Sequence, residues 1–257
     1  MKVVVVGGTG LIGSKVVARL PKEGHTVVVA APSTGVDIVT GEGLDQALSG
    51  ASVVIDLTNP PSFEDHAIMN FYMTAGHNLL AAAAQARIKH HVVLSVVGTQ
   101  RLASSPYFRG KIAQEEIVAK SKVPFTILHS TQFFEFLPSI IEGGIEDDDV
   151  VHLSAGLIQP IAAEDVALAV TRQALQPPAN EIIEVAGPER ASLVDFAQRY
   201  LLASGDSRKV VADQHATYYG ARLLKDTLLP APSAWRGSTC FNGWIGRHTT
   251  VRQTAIA

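Results

Sequence analysis

The chain has 257 residues and a formal net charge of −3, which suits one large α/β domain or such a domain with a modest appendage and supplies no basic field for nucleic acid or an anionic membrane. Hydrophobic residues make up 47% and charged residues 18%, enough for a core on both faces of a sheet. The apolar runs are short and interrupted, which excludes a transmembrane helix, and the chain enters a strand at once where a signal peptide would need its apolar stretch.

Cys240 is the single cysteine, so no intrachain disulfide is expected and a reducing cytoplasm is the expected location. The nine histidines show no metal-ligand spacing, and no metal site is expected. His90 and His91 read as the close of a helix, where cations suit the dipole.

Val3 to Gly13, VVVVGGTGLIG, is the segment that organises the rest. Four β-branched residues in succession predict a buried strand, and the glycine-rich turn after them runs into SKVVARL, whose apolar residues recur at helical spacing. Gly8, Gly10 and Gly13 fit a G-x-G-x-x-G fingerprint; Gly7, Gly10 and Gly13 fit the variant with two residues in each gap. In such a turn one glycine takes a backbone angle that side chains disfavour, one lets the main chain touch a pyrophosphate, and one lets helix and strand pack closely. With Thr9, Leu11 and Ile12 they bring unpaired N–H groups and the positive end of a helix dipole to the phosphates of a dinucleotide.

His25 to Ala31 predicts a second buried strand ending at APST. An acidic residue there would bind the adenosine ribose and favour NAD. None is present, Asp37 comes too late, and the hydroxyls of Ser33 and Thr34 suit a 2′-phosphate; NADP(H) is therefore favoured, with NAD also open. After a short helical piece at Leu44 to Leu48, ASVVIDLTN is a third buried strand. It stops at Thr58, Asn59 and two prolines, where a cofactor would cross the carboxyl edge of the sheet. A helical stretch from Phe63 to Arg87 is expected to break near Gly76, with Phe71, Tyr72 and Met73 assigned to the core.

His91 to Val97 and Val123 to His129 are the fourth and fifth strands. This alternation predicts right-handed crossovers and a parallel sheet covered on both faces. Beyond it VVHL from Val150, PIAAEDVALAVTRQAL from Pro160, EIIEVAG from Glu181 and SLVDFAQRYLL from Ser192 alternate strand and helix. The acidic run Glu146 to Asp149 reads as a solvated loop, and the regular pattern fades from about Asp213.

Ser95 lies on the fourth strand, and Tyr107 precedes Lys111 by four residues, so phenol and ammonium share one helix face. A nearby cation favours the phenolate and brings proton exchange closer to working pH. Lysine so placed can also bond the nicotinamide ribose, and Ser95 can hold a carbonyl oxygen. The three form an acid/base device for hydride transfer. Arg109 and Lys120 read as surface charges.

VVVVGGTGLIG, the Ser95 strand, YFRGKIAQEEIV and PFTILHSTQFFEFL, in this order, make the chain similar to the NmrA-like atypical members of the short-chain dehydrogenase/reductase superfamily. The similarity continues through PIAAEDVA to FNGW. It implies a doubly wound parallel α/β sheet of Rossmann type with its core over residues 1–153 and bound NAD(P)(H). A small C-terminal substrate lobe is implied over residues 154–257, interleaved with it. It matches Gly7, Gly10 and Gly13 to the pyrophosphate turn, Ser95, Tyr107 and Lys111 to the catalytic residues, and Thr131 and Gln132 to positions near the nicotinamide. Phe133, Phe134 and Phe136 match the segment entering the substrate lobe, and His129 stands where many relatives carry arginine.

The functional expectation is an NADP(H)-dependent oxidoreductase of a small or medium apolar carbonyl compound or alcohol. Val97, Tyr107, Phe133, Phe134, Trp235 and Phe241 are the expected substrate walls, and quinone reduction would use the same hydride donor. Some members of this family lack the catalytic tyrosine and act as nucleotide sensors bound to other proteins, which is the competing expectation. Four-helix dimer contacts occur in the superfamily, so a homodimer stands among the expected partners.

Overall fold

The computed structural model describes residues 1–147 and 149–254. In chain order the first elements are β1 (Lys2–Val6), α1 (Leu11–Arg19), β2 (Thr26–Ala30), α2 (Leu44–Leu48), β3 (Val53–Asp56), α3 (Asp65–Gln85), β4 (His90–Val96), α4 (Pro106–Lys120) and β5 (Phe125–Ser130). They are followed by α5 (Leu137–Glu142), β6 (Ile145–Asp147), β7 (Val150–Leu153), β8 (Leu157–Ile158), α6 (Ala163–Ala174), β9 (Ile182–Ala186), β10 (Ala191–Ser192) and α7 (Leu193–Ser204). The last are β11 (Lys209–Ala212), β12 (Thr217–Tyr218), β13 (Ala221–Arg222), β14 (Trp235–Arg236) and α8 (Phe241–Thr254).

The chain divides into two compact units, one of Met1–Ser130 with Val166–Ile183, the other of Thr131–Asp165 with Glu184 onward. The division thus falls after Ser130, within α6 after Asp165, and within β9 after Ile183.

In the first unit β1 pairs in parallel with β2 and with β3, β3 with β4, and β4 with β5. The expected parallel sheet is there for the expected reason: β-branched residues point to both faces because helices cover both. Val3 to Val6 are at most 2% exposed, each burial stabilising by about 1.5–3 kcal/mol. Val4, Val6, Val54, Val93 and Ile127 share one core cluster with Leu79, Ala83 and Val118 of α3 and α4. The Ile127 N–H donates to the carbonyl of Glu181; in the second unit the Thr131 N–H donates to that of Val185, and β14 pairs in parallel with β9. The sheet order is β14-β9-β5-β4-β3-β1-β2.

Four local expectations are corrected. Helix α3 is unbroken: a Cβ on Gly76 would lie 2.2 Å from Ile117 Cδ1, so this glycine serves close packing of α3 on α4. His90 and His91 open β4, because the helix ends earlier, with Arg87 at φ 56°. Both are buried, and burial brings His91 down to about 4, which keeps its ring neutral at pH 7. The acidic run begins in β6, with Asp149 in a turn, while Asp148 lies outside the described residues. The tail after Asp213 also has more order than its pattern offers, adding β14 and opening α8 at FNGW.

The second unit has its own aromatic core. Phe134, Phe196 and Phe241 are fully buried, with ring centroids 5.2 Å apart in the pairs Phe134–Phe241 and Phe196–Phe241. Glu135 accepts from Trp244 Nε1 at 3.1 Å and from the Ala163 N–H at the start of α6. Helix α7 is capped by Ser192, whose hydroxyl accepts from the Asp195 N–H, and stops at Gly205 with φ 71°. No helix among the described residues is long and apolar enough to cross a membrane.

Candidate active site

The turn after β1 is shaped by the absence of side chains. Gly7 has φ 73°, the left-handed region that glycine alone enters freely. A Cβ on Gly13 would lie 2.1 Å from the Gly7 carbonyl oxygen and 2.7 Å from Gly8 Cα, so the helix can rise against the turn only as glycine. Gly10 is the N-cap of α1 with no side-chain cap, and the first turn carries no acidic residue. The first N–H groups of α1 are therefore left to an anion. Thr9, Gly10 and Leu11 are exposed there, whereas Ile12 is buried and contributes its backbone.

At the end of β2, residues Pro32–Thr34 form a short 3-10 turn. The Thr34 hydroxyl accepts from the Ala31 N–H at 3.0 Å and faces the carbonyls of Val29 and Ala31, so it holds the turn. Ser33 is exposed. Asp37, whose lateness weighed against NAD, accepts from the Val39 N–H at 2.7 Å, and this carboxylate belongs to its own loop.

At the end of β3 the structure brings together residues that the sequence reading kept apart. Asn59 Oδ1 accepts from the Tyr107 hydroxyl at 3.1 Å and from the Tyr72 hydroxyl at 3.2 Å. Tyr107 is half-buried near the start of α4, flanked by Phe63 at 5.8 Å and Phe108 at 5.2 Å between ring centroids. Lys111, one turn along, is 3% exposed. Its ammonium donates to the Leu94 carbonyl at 2.8 Å and to Gln114 Oε1 at 2.9 Å, and lies 5.0 Å from the centre of the Tyr72 ring. Burial brings this ammonium down to about 8, against the pull of Asp56 and Glu115.

Beneath the phenols runs a buried polar network. Asp56 accepts from Gln114 Nε2 at 2.9 Å and from the Thr58 hydroxyl at 2.6 Å. Glu115 accepts from the hydroxyl of Ser95 and lies 3.0 Å from His129 Nε2. Burial alone would raise the Glu115 carboxyl, but the hydrogen bond and charge of His129, the bond from Ser95 and the charge of Lys111 outweigh it and hold it below the usual range. Ser95 is thus 3% exposed with its hydroxyl turned to Glu115, not to Tyr107. Val97 is fully buried.

Sequence reading did not single out Asp56, Gln114, Glu115 or a role for Tyr72. The one available signal was polar residues at Gln114 and Glu115, three and four positions after Lys111 and so on its helix face.

In the second unit, Thr131 and Gln132 follow β5 and are 1% and 5% exposed. Neither polar atom of the Gln132 amide has a hydrogen-bond partner among the described residues, a cost that a ligand's polar group would remove. Phe133 is half-buried and stacks on Phe136 at 5.2 Å. Phe134 and Phe241, expected as substrate walls, are fully buried in the aromatic core and present no surface. Trp235 is half-buried in β14.

The glycine cradle and the open helix N-terminus fit the pyrophosphate of a bound nicotinamide dinucleotide. A family model described as NAD(P)H-binding matches residues 7–177. The chain belongs to this NAD(P)H-binding family. Among curated proteins it is similar to a photosystem II assembly factor, Ycf39, of Synechocystis sp., with 28% identity over 228 residues, covering 82% of this chain and 70% of the relative. A short-chain dehydrogenase/reductase superfamily protein of Agrobacterium tumefaciens, solved with bound NAD, shares the fold with TM-score 0.76 and 16% identity over 100% of this chain and 98% of the other. The NADPH-dependent quinone oxidoreductase QOR2 of Escherichia coli, complexed with NADPH, does so with TM-score 0.69 and 17% identity over 96% and 99%. The shared fold is the one that the resemblance to the NmrA-like atypical short-chain dehydrogenase/reductases implies.

Proposed function

We propose that the chain is an NADP(H)-dependent oxidoreductase that reduces a small or medium apolar carbonyl compound or quinone. The observation that carries the reading is the half-buried phenol of Tyr107, anchored on Asn59 beside the glycine-turn half of the sheet. When bound, the nicotinamide supplies a hydride. The chain's own part is to hold the pyrophosphate on Gly7, Gly10, Gly13 and the α1 N-terminus, and to deliver a proton from Tyr107 to the acceptor oxygen. Asn59 orients the phenol, and the buried ammonium of Lys111 adds positive charge beneath it. The preference for NADP(H) rests on the absence of a free carboxylate at the end of β2, with the exposed hydroxyl of Ser33 in its place.

A second reading, a nucleotide-responsive protein that assists assembly of partners, draws on the commitment of Ser95 to Glu115 and of Lys111 to Leu94. The similarity to an assembly factor favours it too. The deciding experiment titrates the purified protein with NADPH and NADH by nicotinamide fluorescence, then screens ketones, aldehydes and quinones for cofactor oxidation. NADPH turnover that falls about 100-fold or more in Tyr107→Phe, with NADPH affinity kept, supports the oxidoreductase. Binding without turnover of any acceptor, or turnover unchanged in Tyr107→Phe, overturns it.

A further inference from the structure

We propose that Tyr72 is a positioning residue for Tyr107, acting through the side-chain oxygen of Asn59; the proposal rests on the oxidoreductase reading above. The sequence assigns Tyr72 to the core, and its ring is indeed 1% exposed. Its hydroxyl is not core: it shares a single acceptor, Asn59 Oδ1, with the hydroxyl of Tyr107.

The place of this ring is built by the helix contact. A Cβ on Gly110 would lie 2.6 Å from Tyr72 Cδ2 and 2.7 Å from Ile68 Cγ2, so the ring reaches α4 only because that position is glycine. There it lies between the two residues of the Tyr107/Lys111 pair, edge-on to Tyr107 with centroids 6.5 Å apart and 5.0 Å from the Lys111 ammonium. With that ammonium donating to Leu94 and Gln114, the Tyr72 ring is what faces it from α3. The cation is thereby linked to Tyr107 through a second phenol.

The two phenols differ in environment. Burial first, then the charge and hydrogen bond of Tyr107 and the charge of Asp56, hold Tyr72 well above the usual tyrosine range. Tyr72 is therefore held in its protonated, donating form, with its hydroxyl on the same acceptor as that of Tyr107. A hydroxyl that donates to a phenolate favours it. The ionisable groups beside the pair include Asp56 at the end of β3 and Lys111 on α4, with Glu115 acting on Lys111 in turn.

The test follows the tyrosine phenols by NMR in the full chain labelled at tyrosine Cζ, for wild type, Tyr72→Phe and Asn59→Ala, together with the pH profile of NADPH oxidation. Tyr72→Phe keeps the ring against Gly110 and Lys111 and removes only the hydroxyl. It is expected to move the Tyr107 titration up by about one pH unit, and the alkaline limb of the rate profile with it. Asn59→Ala, at an exposed position, removes the acceptor that favours the neutral phenol and moves the Tyr107 titration down. Opposite displacements are a signature that lost packing does not produce. A Tyr107 titration unmoved in Tyr72→Phe, or moved in the same direction by both variants, overturns the proposal. If Tyr72→Phe does not fold, Asn59→Ala decides alone: movement of both phenols supports the link, and movement of one or neither overturns it. Absence of any NADPH oxidation by wild type defeats the oxidoreductase reading, while the phenol titrations still decide the role of Tyr72.

Discussion

Ser95 on β4 donates its hydroxyl proton to Glu115 on α4, and His129 on β5 meets the same carboxylate oxygen. This three-way contact ties two neighbouring strands to the helix that carries Tyr107. It also accounts for histidine at position 129: its ring nitrogen and Glu115 form a buried pair, 7% and 5% exposed in their side chains. A buried carboxylate persists when such partners satisfy it.

Glu115→Gln is expected to lower stability at neutral pH by about 1–3 kcal/mol. Because the folded carboxyl is held below its usual range, its stabilisation is complete above the unfolded value of about 4.3 and is lost as pH falls through the lower folded value. The melting-temperature gap between wild type and Glu115→Gln should therefore be constant above about pH 6 and close below about pH 4. A gap independent of pH would contradict this account of the network.

Lys111 gives the opposite slope. Its folded value of about 8 lies below the unfolded value of about 10.4, so between these the unfolded chain binds more protons and stability rises with pH, by about 3 kcal/mol across the window. Chemical denaturation of wild type and Lys111→Met between pH 7 and 10 measures it. The rise should be missing from the variant, and an equal slope in both would show that the ammonium is not titrating there.

Gly13→Ala is expected to weaken NADPH binding at least tenfold and to destabilise the fold, because its Cβ would overlap main-chain atoms of Gly7 and Gly8 that have nowhere to move. Gly243→Ala, where nothing lies within 4 Å of the added carbon, is the control and should be neutral or stabilising by up to about 1 kcal/mol. Fluorescence titration and thermal melts of both check the contrast; normal binding by Gly13→Ala would remove the case for the cradle.

Gly110→Ala presses on the rings and methyls of Tyr72 and Ile68, not on backbone, so the helix pair can yield. The expectation is a loss of about 1–3 kcal/mol and a turnover that falls by a larger factor than NADPH affinity does. Equal losses in both would place Gly110 in packing alone.

Local pattern is enough for the sheet and the turn. Period, β-branching and glycine spacing act over a few residues, so β1 to β5, the cradle at Gly7 to Gly13 and the shared helix face of Tyr107 and Lys111 could be read directly. Asn59 was visible as a position at the sheet's carboxyl edge, but nothing local says that two phenols, from residues 72 and 107, would bond the same oxygen. The direction of the Ser95 hydroxyl, the burial of Lys111 and the removal of Phe134 and Phe241 into a core were equally out of reach. Each depends on which side chain from a distant element arrives at hydrogen-bond or van der Waals distance. Gly76 shows the same limit in one residue: its freedom reads locally as a helix break, and only the approach of Ile117 from α4 turns it into a packing contact.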